Sequence, residues 1–231
     1  MVLVHGAMDR NTSFARVAEA LAPLPVVRYD RRGYGRSRTA GTGDLATHVA
    51  DLVTILDGQP ATVVGHSFGG LVVLGAAALA PDLVAAVGSY EAPVPWVEWW
   101  PYRSALLAED PEEAAERFLR HHIGDDRWER LPRRWREERR AEGMAMAHEN
   151  IGLGPPDPPF DPTHLVMPVV IGRGGASGPR AARAAHELSA VVAGAEEHVV
   201  ADAVHEAPRT DPVGYAGFVR ATLSRALRVD R

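Results

Sequence analysis

Residues 61–80, Ala61 to Ala80, read A-T-V-V-G-H-S-F-G-G-L-V-V-L-G-A-A-A-L-A. A β-branched run, Thr62-Val63-Val64, ends at Gly65-His66-Ser67-Phe68-Gly69, and an unbroken Ala, Leu and Val stretch follows at once. The run reads as a short buried strand and the stretch as a helix, so the chain must reverse sharply between them. In that setting a G-x-S-x-G pentapeptide holds its Ser in a strained backbone conformation, with the hydroxyl standing above the strand end. The flanking glycines are needed because a Cβ at either would collide across the tight crossing.

Outward from this stretch the same strand-then-helix rhythm repeats. Upstream, Val2-Leu3-Val4 reads as a buried strand running into His5-Gly6-Ala7-Met8. A helical pattern carrying Phe14, Val17, Ala18 and Leu21 follows, then a strand over Val26–Tyr29 that ends at Asp30-Arg31-Arg32-Gly33-Tyr34-Gly35-Arg36-Ser37. A second amphipathic helix covers Asp44–Asp57. Downstream, Val84–Tyr90 is an apolar strand ending at Glu91-Ala92-Pro93; further strands are expected over Val166–Ile171 and Glu197–Val200, with helices after each. Such alternation predicts an α/β fold, a doubly wound and mostly parallel sheet covered on both faces. Residues 94–160 break the rhythm. They hold all five Trp, a charge-dense helix at Arg133–Arg140 with Glu and Arg interleaved as on a solvated face, and the stiff Gly152–Pro159 linker. The expected organisation is a core of residues 1–93 and 161–231 with a helical cap at 94–160.

Composition narrows the chemistry. With 231 residues and 46% hydrophobic content the chain can build one full core, and its net charge of −5 gives no polyanion-binding face. Neither nucleic acid nor membrane is an expected partner, and the expected location is cytoplasmic, since no apolar run approaches ~20 residues. Cys is absent, which removes disulfides and thiolate sites; Lys is absent too, which removes Schiff-base and Ser-Lys chemistry.

His5-Gly6, the Asp30–Ser37 loop, Gly65-His66-Ser67-Phe68-Gly69-Gly70 and a late His205 fall in the order that resembles the α/β-hydrolase fold superfamily, over nearly the whole chain. That resemblance implies a capped serine hydrolase with Ser67 on the nucleophile elbow and His205 as its base. It places the oxyanion hole at the backbone N–H groups of Ala7 and Phe68, with Met8 flanking. Of the other His, His5 and His66 read as loop supports, while the adjacent His121 and His122 point apart on a helix and make a poor metal site. The acid departs from the commonest pattern. The loop Gly172–Gly178 lacks a carboxylate, and Glu91, after the preceding strand, takes the position of the haloalkane-dehalogenase-like branch; Asp202 is the fallback. Because position 67 is Ser and not Asp, dehalogenase activity does not carry over.

The implied reaction is hydrolysis of small or medium apolar carboxylic esters through an acyl-enzyme, with no metal or organic cofactor. Carbon–carbon hydrolysis, lactone opening, perhydrolysis and acyl transfer share the triad and stay open, as does a ligand-binding or sensing protein on the same scaffold. Trp96, Trp99 and Trp100 are expected either to line or roof the pocket or to form the aromatic core packing of the cap. Superfamily members usually carry two strands ahead of the His-Gly strand, so a sheet lacking them is expected to leave Val26–Tyr29 as an exposed edge that invites self-association.

Overall fold

The computed structural model describes residues 1–101 and 110–229. Six strands, β1 (Val2–Val4), β2 (Val27–Arg28), β3 (Ala61–His66), β4 (Val84–Tyr90), β5 (Val169–Gly174) and β6 (Glu196–Val200), form one sheet in the order β2-β1-β3-β4-β5-β6, and every pairing is parallel. The helices are α1 (Ala15–Leu21), α2 (Leu45–Leu56), α3 (Phe68–Leu79), α4 (Pro111–Ile123), α5 (Asp125–Arg130), α6 (Arg133–Arg140), α7 (Gly143–Glu149), α8 (Pro179–Val191), α9 (Ala207–Thr210) and α10 (Pro212–Val229).

The period-2 alternation of each strand divides the core. Val2, Val4, Val63, Val87, Val169 and Ile171 face α2, α3 and α8. Leu3, Val64, Tyr90, Val170 and Val200 face Phe14, Val17 and Leu21 of the α1 side and Tyr215, Phe218 and Val219 of α10. Both faces of the sheet are thus covered, and α3 lies so deep that every residue from Phe68 to Ala78 is buried. A third apolar cluster joins Ala114, Ala115 and Leu119 of α4 with Trp128, Ala145 and Met146, and closes on Met8 and Tyr34 of the main body. Helices α4, α5 and α7 therefore share a small core of their own, seated on the loops at the strand ends.

Two boundaries differ from the sequence reading. The strand expected over Val166–Ile171 runs instead over Val169–Gly174, because Pro168 has no N–H to give the ladder and Val166 is left exposed. The edge strand contracts to Val27–Arg28, both exposed.

The order of the sheet reverses between β1 and β3: from β1 the chain leaves to β2 on one side and returns to β3 on the other. Open parallel sheets offer a crevice at the carboxyl ends of the strands flanking such a reversal, and the loop after β1 and the turn after β3 both open into it.

Candidate active site

Ser67 follows the last residue of β3 with φ 53° and ψ −124°, and α3 begins at the next residue. Its N–H donates to the carbonyl of Tyr90 at 2.8 Å, fixing the turn to β4. A Cβ on Gly65 would overlap the Gly69 carbonyl, and one on Gly69 would overlap the Val4 carbonyl. Strand, helix and neighbouring strand therefore approach too closely for a side chain at either glycine. Non-glycine residues with positive φ among the described residues are Met8, Asp57, Ser67 and Glu91. Three of these stand at the strand ends that meet in the crevice, after β1, β3 and β4, where strain of about 1–3 kcal/mol each persists because the surroundings fix it.

Glu91, at φ 45°, comes directly after β4, and its N–H donates to the Gly172 carbonyl at 2.8 Å. Its Oε1 accepts the Gly174 N–H at 2.8 Å and the Ser177 hydroxyl, and its Oε2 accepts Nδ1–H of His205 at 2.8 Å. The loop that lacks a carboxylate thus supplies the donors that hold one. Burial alone would raise the carboxyl's pKa, but these hydrogen bonds and the imidazole hold it below the ordinary glutamate value. The reciprocal effect appears on His205: burial opposes the charged ring, yet the hydrogen bond and charge of Glu91 raise its pKa above 6.5.

The other motif histidines support the loops. His66 donates through Nε2 to the His205 carbonyl at 2.8 Å, setting the height of the His205 loop. His5 donates through Nδ1 to the Gly6 carbonyl and accepts the Arg31 N–H through Nε2, both at 2.8 Å. Burial lowers the pKa of each to about 3, so both stay neutral. Arg31, fully buried, donates to the carbonyls of His5 and Gly6 at 2.8 Å and pairs with Glu149 of α7. The Arg-rich loop is thereby explained as a strut that ties the inserted helices to the loop after β1. Arg139 of α6 adds a second tie, donating to the Met8 carbonyl.

Ser67 and His205 open onto one pocket, lined also by Ala7, Met8, His66 and, from α4, by Phe118, Leu119, His122 and Ile123. Asp9, Glu206 and Arg209 complete its polar side, where the Arg209 guanidinium overcomes the effect of burial and holds the Asp9 carboxyl at about 2. Phe68, first residue of α3, carries an N–H with no acceptor one turn back in its own helix.

None of the three tryptophans is among these lining residues; each packs on other side chains. Trp96 is buried in the main core edge-on to Phe160, and Trp99 donates its indole N–H to Glu187 of α8 with the Arg183 guanidinium 4.2 Å above its ring. Trp100 packs on Trp99. Indoles go where both the ring and the N–H find partners, and here those lie beside α8. The roof comes from α4, whose apolar and His residues recur at i, i+4 as Phe118/His122 and Leu119/Ile123. That spacing was present in the sequence; what it faced was not. Burial lowers the His122 pKa to about 4, and its ring stacks on Phe118 and stands 5.7 Å from that of His205, centroid to centroid.

Comparison with known proteins adds to this geometry. The family model described as alpha/beta hydrolase fold matches residues 1–149. Lipase LipV of Mycobacterium tuberculosis is 38% identical over 90 residues, 38% of this chain and 34% of its own length. The pimeloyl-[acyl-carrier protein] methyl ester esterase of Chromobacterium violaceum is 35% identical over 131 residues, 52% of this chain and 51% of its own. The matches thus span between a third and about half the length of these curated relatives. Among solved structures, the enol-lactonase from Burkholderia xenovorans LB400 superimposes with a TM-score of 0.73 at 22% identity, over 96% of this chain and 90% of that one.

Proposed function

Because this chain belongs to the alpha/beta hydrolase fold family, we propose that it is a cofactor-independent serine hydrolase of small or medium apolar carboxylic esters, working through a Ser67-His205-Glu91 triad. The observation that carries the reading is the Glu91 carboxylate on His205 Nδ1 at 2.8 Å, in a pocket that Ser67 shares. With Nδ1 committed to Glu91, Nε2 is the nitrogen left to take a proton.

In the acylation step Ser67 Oγ attacks the ester carbonyl carbon while His205 Nε2 accepts the hydroxyl proton. The tetrahedral oxyanion is held by the N–H groups of Ala7 and Phe68, each such donor being worth about 10²–10³ in rate. Collapse breaks the acyl–oxygen bond, the alcohol leaves with the proton from the imidazolium, and Ser67 carries the acyl group. Water then adds to the acyl carbon as His205 takes its proton, and the acid leaves with Oγ reprotonated. Glu91 stays ionised throughout and stabilises the imidazolium.

Residues 94–160 act in this reading as a cap whose α4 face bounds the acyl group; Phe118, Leu119 and Ile123 favour an apolar chain of modest size. That one curated relative is a methyl ester esterase and the other a lipase supports the substrate class. Lactones present the same reacting carbonyl and belong to the same test set.

The deciding experiment is fluorophosphonate labelling of the wild type and of Ser67→Ala, with turnover of p-nitrophenyl acetate. Labelling and turnover that both require Ser67 are expected. An unlabelled wild type without turnover leaves a ligand-binding protein on a hydrolase scaffold.

A further inference from the structure

Beside Ser67 the pocket holds three side chains that can ligate a metal. His122, His205 and Glu206 each offer a donor atom within 4.8 Å of the donors of the other two. His122 comes from α4 and the other two from the loop after β6. Both imidazoles are already set as ligands usually are. His205 donates Nδ1–H to the Glu91 carboxylate and His122 donates Nδ1–H to the Phe118 carbonyl, each at 2.8 Å. A carboxylate or backbone carbonyl on Nδ1–H is the usual outer support of a metal-bound His, because it fixes the tautomer and turns the Nε2 lone pair to the metal. Among the described residues, neither Nε2 nor the Glu206 carboxylate has a hydrogen-bond partner. The neighbouring Arg209, which would repel a cation, is paired with Asp9.

We propose that His122, His205 and Glu206 form a Zn²⁺ site that switches off the hydrolase reaction by occupying Nε2 of His205. The switching half of this rests on the triad reading given above; the binding half does not. Two imidazoles and one carboxylate suit Zn²⁺, whereas Mg²⁺ and Ca²⁺ call for oxygen ligands. Tetrahedral Zn²⁺ with ligands at about 2.0–2.2 Å sets donors roughly 3.3 Å apart, so the three need to draw in by about 1.5 Å at most from their present limit. The fourth position opens to the pocket. No bond of the substrate is made or broken at the metal: Zn²⁺ and the Ser67 proton compete for one lone pair, and binding is reversible by chelation.

Binding is measured first on Ser67→Ala, which needs no turnover. At pH 7.5, Zn²⁺ calorimetry should give one equivalent, and Co²⁺ should give the intense visible absorption of a tetrahedral site. His122→Phe and Glu206→Gln, each introduced into that background and checked for a wild-type melting curve, should weaken Zn²⁺ binding by about 10–100-fold or more; two variants guard against a folding defect in one. In the active protein, Zn²⁺ should abolish p-nitrophenyl acetate turnover at the concentration where it binds, EDTA should restore it, and Mg²⁺ should do neither. Each variant is compared with its own metal-free rate and should need correspondingly more Zn²⁺. Absence of a saturable equivalent, or binding that both variants leave intact, overturns the site. Binding that depends on both residues while turnover is unaffected by Zn²⁺ overturns the switch. A protein that binds Zn²⁺ through these residues and shows no Ser67-dependent turnover at all disproves the hydrolase reading instead.

Discussion

The side chains of Glu91 and Glu149 are both largely withdrawn from solvent, and the chain treats them differently. Glu91 accepts from a backbone N–H, a hydroxyl and an imidazole, and its pKa is lowered. Glu149, fully buried on α7, faces the Arg31 guanidinium with His48 Nε2 at 3.6 Å, and burial raises its pKa against the pull of Arg31. The difference lies in the partner. An imidazole can gain and lose a proton near neutral pH, so a carboxylate beside it is coupled to chemistry; a guanidinium keeps its proton, so the pair it forms is a fixed strut. In the proposed reaction one carboxylate serves turnover and the other serves assembly, and mutations should separate these two roles.

The largest effect is expected at the serine itself: Ser67→Ala should lower kcat by about 10⁶-fold with no loss of melting temperature. Glu91→Gln should lower kcat on the order of 10³–10⁴-fold, read from initial rates on p-nitrophenyl acetate, because the charge that supports the imidazolium is gone. Activity within a few fold of wild type would remove Glu91 from the triad. At the other glutamate the loss should be of stability. Arg31→Met strands a buried carboxylate and should cost about 3–5 kcal/mol, seen as a melting temperature lower by roughly 10 °C, while Arg31→Met with Glu149→Leu should recover most of it. A smaller effect concerns pH. The base must be neutral to work and its pKa lies above 6.5, so kcat/KM should fall as pH drops through that raised value. In Ser177→Ala, Glu91 loses one of its three donors and becomes easier to protonate. The ordering of the His205 ring should weaken, with kcat down by a few fold and the acid limb steeper; an unchanged profile would show that the Gly174 N–H suffices.

The main body was legible because its signals are local. Strand and helix periods differ, and the glycines around Ser67 are dictated by backbone contacts that any sequence making this turn must satisfy. Glu91 could be proposed as the acid because strand order fixes which loops meet and the Gly172–Gly178 loop has no carboxylate of its own, with Asp202 as the alternative. The inserted helices were less legible. Indole placement depends on Glu187 and Arg183, about 85 residues away in the chain. His122 read as one of two helix-surface histidines until the direction of α4 was known. The strand at β5 slipped for a simpler reason: Pro168 interrupts an apolar run that composition alone would have kept whole.

Arg139 reaches from α6 to the carbonyl of Met8, two peptides beyond the Ala7 amide proposed above as an oxyanion donor. That contact couples the position of the loop to that of α6, so in the proposed reaction a displacement of the inserted helices would also move the donor. Under that proposal, selectivity and speed would be mechanically linked. A substituent that pushes α6 outward would be rejected by slow turnover after binding, and refitting the roof to a bulkier acyl group would require retuning the loop beneath it.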